Sequence, residues 1–172
     1  MEIEGLSTRD LLTLHGQVMR ALRAQGILRS ANNPLADYAE WLCERALRVS
    51  LVKKSTRGYD AIDAAGYKYE IKARRVTPEN SSRQLSAIRG LEHSHFDFLV
   101  GVLFDTNFNV MRGALIPRPV VVRLARPAKH TNSMRFILRD SVWGEPGVED
   151  VTSQLRASAR ARDGCGSLTN GM

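Results

Sequence analysis

The sequence has little cysteine and no long apolar run, and both absences narrow the class of protein. Its two cysteines, Cys43 and Cys165, lie in a helical pattern and in a Gly/Ser-rich tail, which does not suit a disulfide framework. No stretch approaches the roughly 18 apolar residues of a membrane span, and the N-terminal MEIEGLSTRDLL lacks the apolar core of a signal peptide. These features predict a cytoplasmic protein with no membrane partner.

Zinc-site spacing and internal repeats are also missing. The four histidines are not accompanied by Cys, His or Asp residues at the spacing of a zinc site, so structural or surface roles are expected for them. What remains is a chain of 172 residues that is 43% hydrophobic and 25% charged, as in ordinary globular proteins. The length suits a single domain. We expect that domain over residues 1–162, followed by a flexible tail, 163–172, without periodicity.

The charge balance favours one class of partner. Lysine and arginine outnumber acidic residues, which gives a formal net charge of +7. A positive field of this size attracts polyanions, and no basic amphipathic helix suited to an acidic membrane surface is evident. Nucleic acid is therefore the leading candidate partner.

Two helices are predicted in the first third of the chain. In residues 7–26 a capping-box pattern precedes apolar residues at helical spacing; these are Leu11, Leu14, Val18 and Leu22. In residues 33–48, Asn33 is suited to the N-cap and Pro34 to the first helical turn. Glu40 falls at the margin of the apolar stripe of this second helix, whereas Cys43 lies within the stripe and is expected to be buried.

A β-hairpin is predicted for the stretch GYDAIDAAGYKYEIKARR. Two strand-like arms flank the turn-forming DAAG. In the second arm Glu70 and Lys72 share one face by the period of two, and Tyr69 and Ile71 share the other. One face is expected to pack and the other to carry charge.

The remaining pattern predicts an alternation of helices and strands. SSRQLSAIRGLE is expected to form a short helix with Leu85 and Ile88 inward and Gln84 near its start. FDFLVGVLF is a continuous apolar run typical of a strand covered on both faces, and VMRGALI follows as another strand. We expect a helix in PRPVVVRLARPA, a strand in MRFILRD and a helix in VEDVTSQLRASARA.

The hairpin carries a candidate catalytic constellation. Carboxylates at Asp60 and Glu70, on adjacent arms, can converge on a hard divalent cation, for which Mg²⁺ is the natural choice. Such a cation polarises a phosphoryl oxygen and lowers the pKa of a bound water. Lys72 points its ammonium to the same side as Glu70 and can hold or activate that water. The pattern therefore favours phosphodiester hydrolysis.

Asp60 followed by Glu70-Ile71-Lys72 resembles the D-x(n)-E-x-K signature of the PD-(D/E)XK, or restriction-endonuclease-like, nuclease superfamily. The element order over about 34–104 resembles its αβββαβ core, and the wider pattern is similar to small bacterial members. The resemblance implies an α/β fold whose mixed central sheet is flanked by helices, with an N-terminal helix and C-terminal strand and helix additions. The implied activity is that of a Mg²⁺-dependent endonuclease, with DNA as the favoured substrate, in restriction, defence or repair.

The same resemblance assigns roles to individual residues. It implies that Asp60 and Glu70 bind Mg²⁺, for which Mn²⁺ is expected to substitute, and that the backbone carbonyl of Ile71 adds a ligand. Glu40 occupies the place of an auxiliary metal-site carboxylate, and Gln84 that of an orienting glutamine. The family's proline before the aspartate is replaced by Tyr59. This departure leaves Asp63 as a rival to Asp60, although a turn-capping role suits Asp63 better.

Basic residues surround the proposed site along the chain and are candidates for phosphate contacts; they are Lys53, Lys54, Arg57, Arg74, Arg75, Arg83 and Arg89. A homodimer would suit cleavage of both strands, because a two-fold axis relates two sites, but the sequence leaves the oligomeric state open. Three alternatives also stay open: a solvated strand face with cross-strand ion pairs, a non-catalytic nucleic-acid-binding module, and a subunit that binds an acidic protein.

Overall fold

The computed structural model describes residues 3–54, 56, 58–93, 95–128 and 132–161. The helices of these residues are α1 (Thr8–Ala24), α2 (Pro34–Leu47), α3 (Arg118–Leu124) and α4 (Thr152–Arg160). The strands are β1 (Ser50–Leu51), β2 (Ala61–Ile62), β3 (Lys68–Arg75), β4 (Phe98–Phe104), β5 (Val110–Pro117), β6 (Arg126–Ala128), β7 (Ser133–Arg135) and β8 (Glu149–Asp150). The expected tail, 163–172, lies outside the described residues.

A mixed sheet of six strands forms the centre, in the order β1-β2-β3-β4-β5-β8. The pairs β1/β2 and β2/β3 are antiparallel, β3/β4 is parallel, and β4/β5 and β5/β8 are antiparallel. Strands β6 and β7 form a separate antiparallel pair. The α/β class with a mixed central sheet and flanking helices is therefore as the sequence predicted.

Apolar residues cover both faces of this sheet. On β4, Val100 and Val102 join the core on the side of α2 and α4, whereas Leu99 and Leu103 join the core on the side of α3. All four are fully buried. The continuous apolar run of this strand thus reflects burial on both faces, as expected for a central strand.

Helix α2 forms where its capping signals lie. The amide of Leu35 donates to Oδ1 of Asn33 at 3.0 Å, and Pro34 occupies the first turn. The helix packs through Ala39, Leu42 and Cys43, all without solvent exposure. Cys43 is part of the core beside α2, where burial raises the pKa of its thiol, so this cysteine is buried as predicted.

The prediction of a helix in SSRQLSAIRGLE is wrong. Residues 76–90 contain no α-helix, and only a 3₁₀ turn, Leu91–His93, precedes β4. The segment runs extended instead: the amide of Leu85 donates to the carbonyl of Phe136 at 2.9 Å, and the amide of Ile88 to that of Met134 at 3.0 Å. Leu85 and Ile88 still point inward, at 1% and 0% exposure.

The strand expected in MRFILRD is corrected in part, whereas the first predicted helix is present. MRFILRD contributes only the short strand β7, and that strand pairs with β6 and not with the central sheet. Helix α1 begins at the predicted cap, where the amide of Asp10 donates to Oγ of Ser7, but it contains no buried residue. Leu11 and Val18 of its apolar stripe are exposed. None of the helices in the described residues is both long and apolar enough to cross a membrane.

Candidate active site in an open cleft beside strand β3

The β2–β3 hairpin is closed by Asp63. Its Oδ1 accepts the amides of Ala65 and Tyr67 at 2.9 Å each, and its Oδ2 accepts the hydroxyl of Tyr69 at 2.8 Å. Gly66 adopts a left-handed φ of 90° in the same turn, which glycine does without strain. Asp63 therefore caps the turn, and its carboxylate is committed to that role.

Asp60 is fixed against β3 by two hydrogen bonds. Its amide donates to the carbonyl of Tyr69 at 2.7 Å, and its Oδ2 accepts the amide of Ile71 at 2.8 Å. Tyr69 and Ile71 pack on the core beside α2, so the alternation of β3 turns Glu70 and Lys72 to the other face. The hairpin thereby brings the carboxylates of Asp60 and Glu70 to neighbouring positions.

Glu70 and Lys72 form a close ion pair, with 2.5 Å between Oε1 and Nζ. Glu70 is 9% exposed. Burial raises the pKa of its carboxyl, the Lys72 ammonium opposes this rise, and the negative charge of Asp60 adds to it. A carboxylate in this setting gains from any additional cation nearby, because that cation offsets both the burial and the repulsion from Asp60.

These three side chains line one open cleft of about 450 Å³, called here the carboxylate cleft. Tyr59, Ser86 and Arg89 also line it. Gly58 forms part of its wall with a left-handed φ of 89°, and a Cβ at this position would lie 2.2 Å from Cβ of His95. Only glycine therefore lets this wall pack against His95.

The residues in the carboxylate cleft fit one mode of Mg²⁺ binding. In the described part of the chain, no three His, Cys, Asp or Glu side chains are grouped so that they could hold a metal ion. Mg²⁺ is commonly bound by one or two carboxylates together with waters and substrate phosphates, without a full protein cage. Asp60 and Glu70 lie close enough to interact electrostatically and line one open cleft. They match this mode of binding by two carboxylates.

Glu40 does not line this cleft, and it pairs with Lys54. Both of its carboxylate oxygens accept Nζ of Lys54 at 3.0 Å, and Nη1 of Arg29 lies 3.6 Å from Oε2. Lys54 also pairs with Asp37, which is 1% exposed. Burial raises the pKa of the Glu40 carboxyl, Lys54 lowers it, and Asp60 raises it further. Glu40 thus interacts with Asp60 electrostatically but does not line the carboxylate cleft.

Gln84 lies in a different cleft from Asp60, Glu70 and Lys72. It stands in the extended segment opposite Ile137, and not on a helix, so the structure does not bring it to the place that the resemblance implied.

The predicted phosphate-contacting residues divide into distinct groups. Arg89 lines the carboxylate cleft, and Lys53 is exposed. Lys54 pairs with Asp37 and Glu40 of α2. Three arginines have partners outside the cleft: Arg74 donates to the carbonyl of Ser82, Arg75 stacks on Phe108, and Arg83 pairs with Asp140. Arg57 lies outside the described residues.

Sequence reasoning missed two features around the site. Asp37 accepts the amides of Arg29 and Ser30 at 2.9 and 2.8 Å in addition to Lys54, so it joins the start of α2 to the loop before β2. His95 lies close enough to Glu70 to lower the pKa of its carboxyl. Neither residue carries a sequence signal of this role, since each depends on contacts between distant segments.

Comparison with protein-family models finds no match to the chain, and comparison with curated proteins finds no significant match.

Proposed function

We propose that this protein is a metal-dependent nuclease that hydrolyses phosphodiester bonds, with DNA as the favoured substrate. The observation that carries the proposal is the placement of Asp60, Glu70 and Lys72 in one open cleft, with Arg89 beside them. The order α2-β1-β2-β3-β4 supports it, because it resembles the αβββαβ core apart from the helix before the last strand, which is absent among the described residues. The net charge of +7 suits a polyanionic substrate.

Each residue has a defined part in this chemistry. Asp60, Glu70 and the carbonyl of Ile71 would hold Mg²⁺, which when bound supplies a polarised phosphoryl oxygen and a more acidic water. Lys72, paired with Glu70, keeps a positive charge at the reacting phosphate and hydrogen-bonds the attacking water. Arg89 holds an adjacent phosphate by charge.

A second candidate function is a nucleic-acid-binding module without catalysis. The internal pairing of charges favours it, because Lys72 already neutralises Glu70 and Lys54 already neutralises Glu40. Such a module would bind DNA with strong salt dependence and would show no turnover with any divalent ion.

Cleavage of supercoiled plasmid separates the two functions. Wild-type protein would be incubated with Mg²⁺, Mn²⁺ or EDTA, beside D60N, E70Q and K72M variants whose folding is checked by circular dichroism. The nuclease predicts metal-dependent nicking that falls roughly 10²- to 10⁴-fold in K72M and is abolished in D60N and E70Q. Salt-sensitive binding without cleavage by wild type, on supercoiled, linear and single-stranded DNA, would replace the nuclease with the binding module.

A further inference from the structure

A second concave site borders the same segment of chain as the carboxylate cleft. It has a volume of about 250 Å³, and its lining includes Gln84, Arg126, Arg135, Arg139 and Ser141. This site is called here the arginine cleft. Three exposed arginines thus line one concave site, and none of the described residues that line it is acidic.

The backbone forces two of these arginines together. Arg126 and Arg135 are directly opposite each other in the antiparallel β6/β7 pair, an arrangement in which like charges destabilise a sheet. Within the described chain, neither these two residues nor Arg139 forms an ion pair with a carboxylate. Asp140, the nearest acidic residue in sequence, is already paired with Arg83 and Arg112. The positive charge of the cleft is therefore left without an internal counter-charge.

One guanidinium is oriented in advance. Nη1 of Arg126 donates to the carbonyls of Arg123 and Ala125, at 3.1 and 3.0 Å, where helix α3 ends. This contact satisfies the end of the helix and leaves the remaining N–H groups of a planar fork that matches phosphate geometry. An anion in the cleft would relieve the repulsion between Arg126 and Arg135.

The two clefts share one stretch of chain. Gln84 lines the arginine cleft, whereas Ser86 and Ala87 line the carboxylate cleft. Three residues of extended chain span at most about 11 Å, and one strand of a duplex advances about 3.4 Å per phosphate along the axis. A strand with its reacting phosphate in the carboxylate cleft would therefore reach the arginine cleft with a phosphate no more than about three nucleotides away.

We propose that the arginine cleft binds backbone phosphates of the nucleic-acid substrate next to the cleavage site. This inference rests on the proposed function and extends it, because it places a second contact region on a surface that the hairpin motif does not include. Phosphate contacts set the register of a strand without reading its sequence. The arginine cleft thus positions the substrate and does not take part in the chemistry.

Binding of a fluorescent DNA duplex, measured by anisotropy in EDTA over a series of NaCl concentrations, tests the proposal. The variant R126Q/R135Q/R139Q removes the cleft charges. The matched control R9Q/R20Q/R160Q removes three exposed arginines that line neither cleft, so both variants have the same net charge. Thermal unfolding checks that each variant is folded.

The salt dependence of binding decides the outcome. The slope of log affinity against log salt should shrink by about 0.9 for each phosphate that the protein no longer neutralises. We therefore expect a decrease of about 2 to 3 in the cleft variant and of less than about 1 in the control. Equal slopes in the two variants would contradict the proposal that the arginine cleft binds phosphates. In that case, metal-dependent plasmid cleavage by wild type would still support the proposed nuclease activity. A wild type that neither binds nor cleaves DNA would contradict both proposals.

Discussion

The carboxylate of Asp60 is joined to the strand that carries Glu70 and Lys72 through the amide of Ile71, which donates to its Oδ2 at 2.8 Å. Among the described residues, no donor reaches the other oxygen, Oδ1. One oxygen of the carboxylate is thus used to set its position, while the residue lines the carboxylate cleft. This division makes structural and catalytic contributions of Asp60 separable by mutation.

We expect D60N and D60A to lose cleavage activity alike but to differ in stability. The asparagine in D60N keeps an oxygen that can accept the Ile71 amide, whereas D60A leaves that amide, in a residue 5% exposed, without its partner. An unpaired buried donor costs about 1 to 3 kcal/mol, so D60A should lose that much free energy of unfolding and D60N less than about 1 kcal/mol. Urea unfolding measures the difference. Wild-type cleavage by D60N would remove Asp60 from the active site.

The charge at position 72 is expected to matter far more than the charge at position 68. Lys68 and Lys72 lie on the same face of β3, but Nζ of Lys68 sits 5.2 Å from the ring centroid of Tyr59, and Lys72 pairs with Glu70. K72M should lower the cleavage rate roughly 10²- to 10⁴-fold, and the control K68M less than about tenfold. Single-turnover cleavage at saturating enzyme separates the rate from affinity. Equal reductions in rate would mean that Lys72 supplies only general positive charge.

The hairpin could be predicted because its determinants are local. Alternation along β3 assigns Glu70 and Lys72 to one face. Asp63 and Gly66 specify the turn that brings β3 back beside Asp60. Capping residues likewise specify where α1 and α2 begin. In each case the signal and the structure it determines lie within a few residues of each other.

The helix expected around Gln84 failed for the opposite reason. The backbone of residues 83–88 bonds to residues 134–138, about fifty positions later, for example through Leu85 to Phe136. Tertiary pairing of this kind overrides local helix propensity. The ion pair of Glu40 could not be predicted for a similar reason, because its partner, Lys54, lies outside α2 in the loop after β1.

Removing the carboxylate of Asp37 should destabilise the protein more than removing an exposed one. Asp37 binds Lys54 and the amides of Arg29 and Ser30. Breaking a buried ion pair costs about 3 to 5 kcal/mol, and we expect about 2 to 3 kcal/mol for D37N because Lys54 is partly exposed and keeps Glu40. The control E92Q alters an exposed pair with His93, worth about 0 to 1 kcal/mol. Equal unfolding free energies for the two variants would contradict the role of Asp37.

The stability difference between wild type and D37N should depend on pH in one direction. Burial acts to raise the pKa of Asp37, but the hydrogen bonds from Lys54, Ser30 and Arg29 hold it below the ordinary value of 3.8. A folded-state pKa below the unfolded value gives stability that is fully present above pH 3.8 and is lost as the pH falls through the folded-state pKa. The difference in stability between wild type and D37N should therefore narrow only below this pH. A difference that already vanishes near neutral pH would rule out the ionised carboxylate as its source.

Neutralising Arg135 should stabilise the free protein, whereas neutralising Arg112 should destabilise it. Arg135 opposes Arg126 across the β6/β7 pair, so R135Q relieves a like-charge contact worth about 0.2 to 1 kcal/mol. Arg112 lies 3.7 Å from the ring centroid of Trp143 and pairs with Asp140 and Asp150 at 3.1 Å each, so R112Q should lower the free energy of unfolding by about 1 to 2 kcal/mol.

Urea unfolding at low and high salt measures both arginine variants. Because added salt screens repulsion between exposed charges, the gain in R135Q should fade as the salt concentration rises, whereas the part of the R112Q effect that comes from stacking on Trp143 should persist. A gain in stability in R135Q would mean that Arg135 destabilises the free protein, as expected for two arginines that are opposite each other without an anion between them. A decrease in the stability of R135Q at low salt would show that Arg135 stabilises the fold. There would then be no repulsion between Arg126 and Arg135 for a bound anion to relieve.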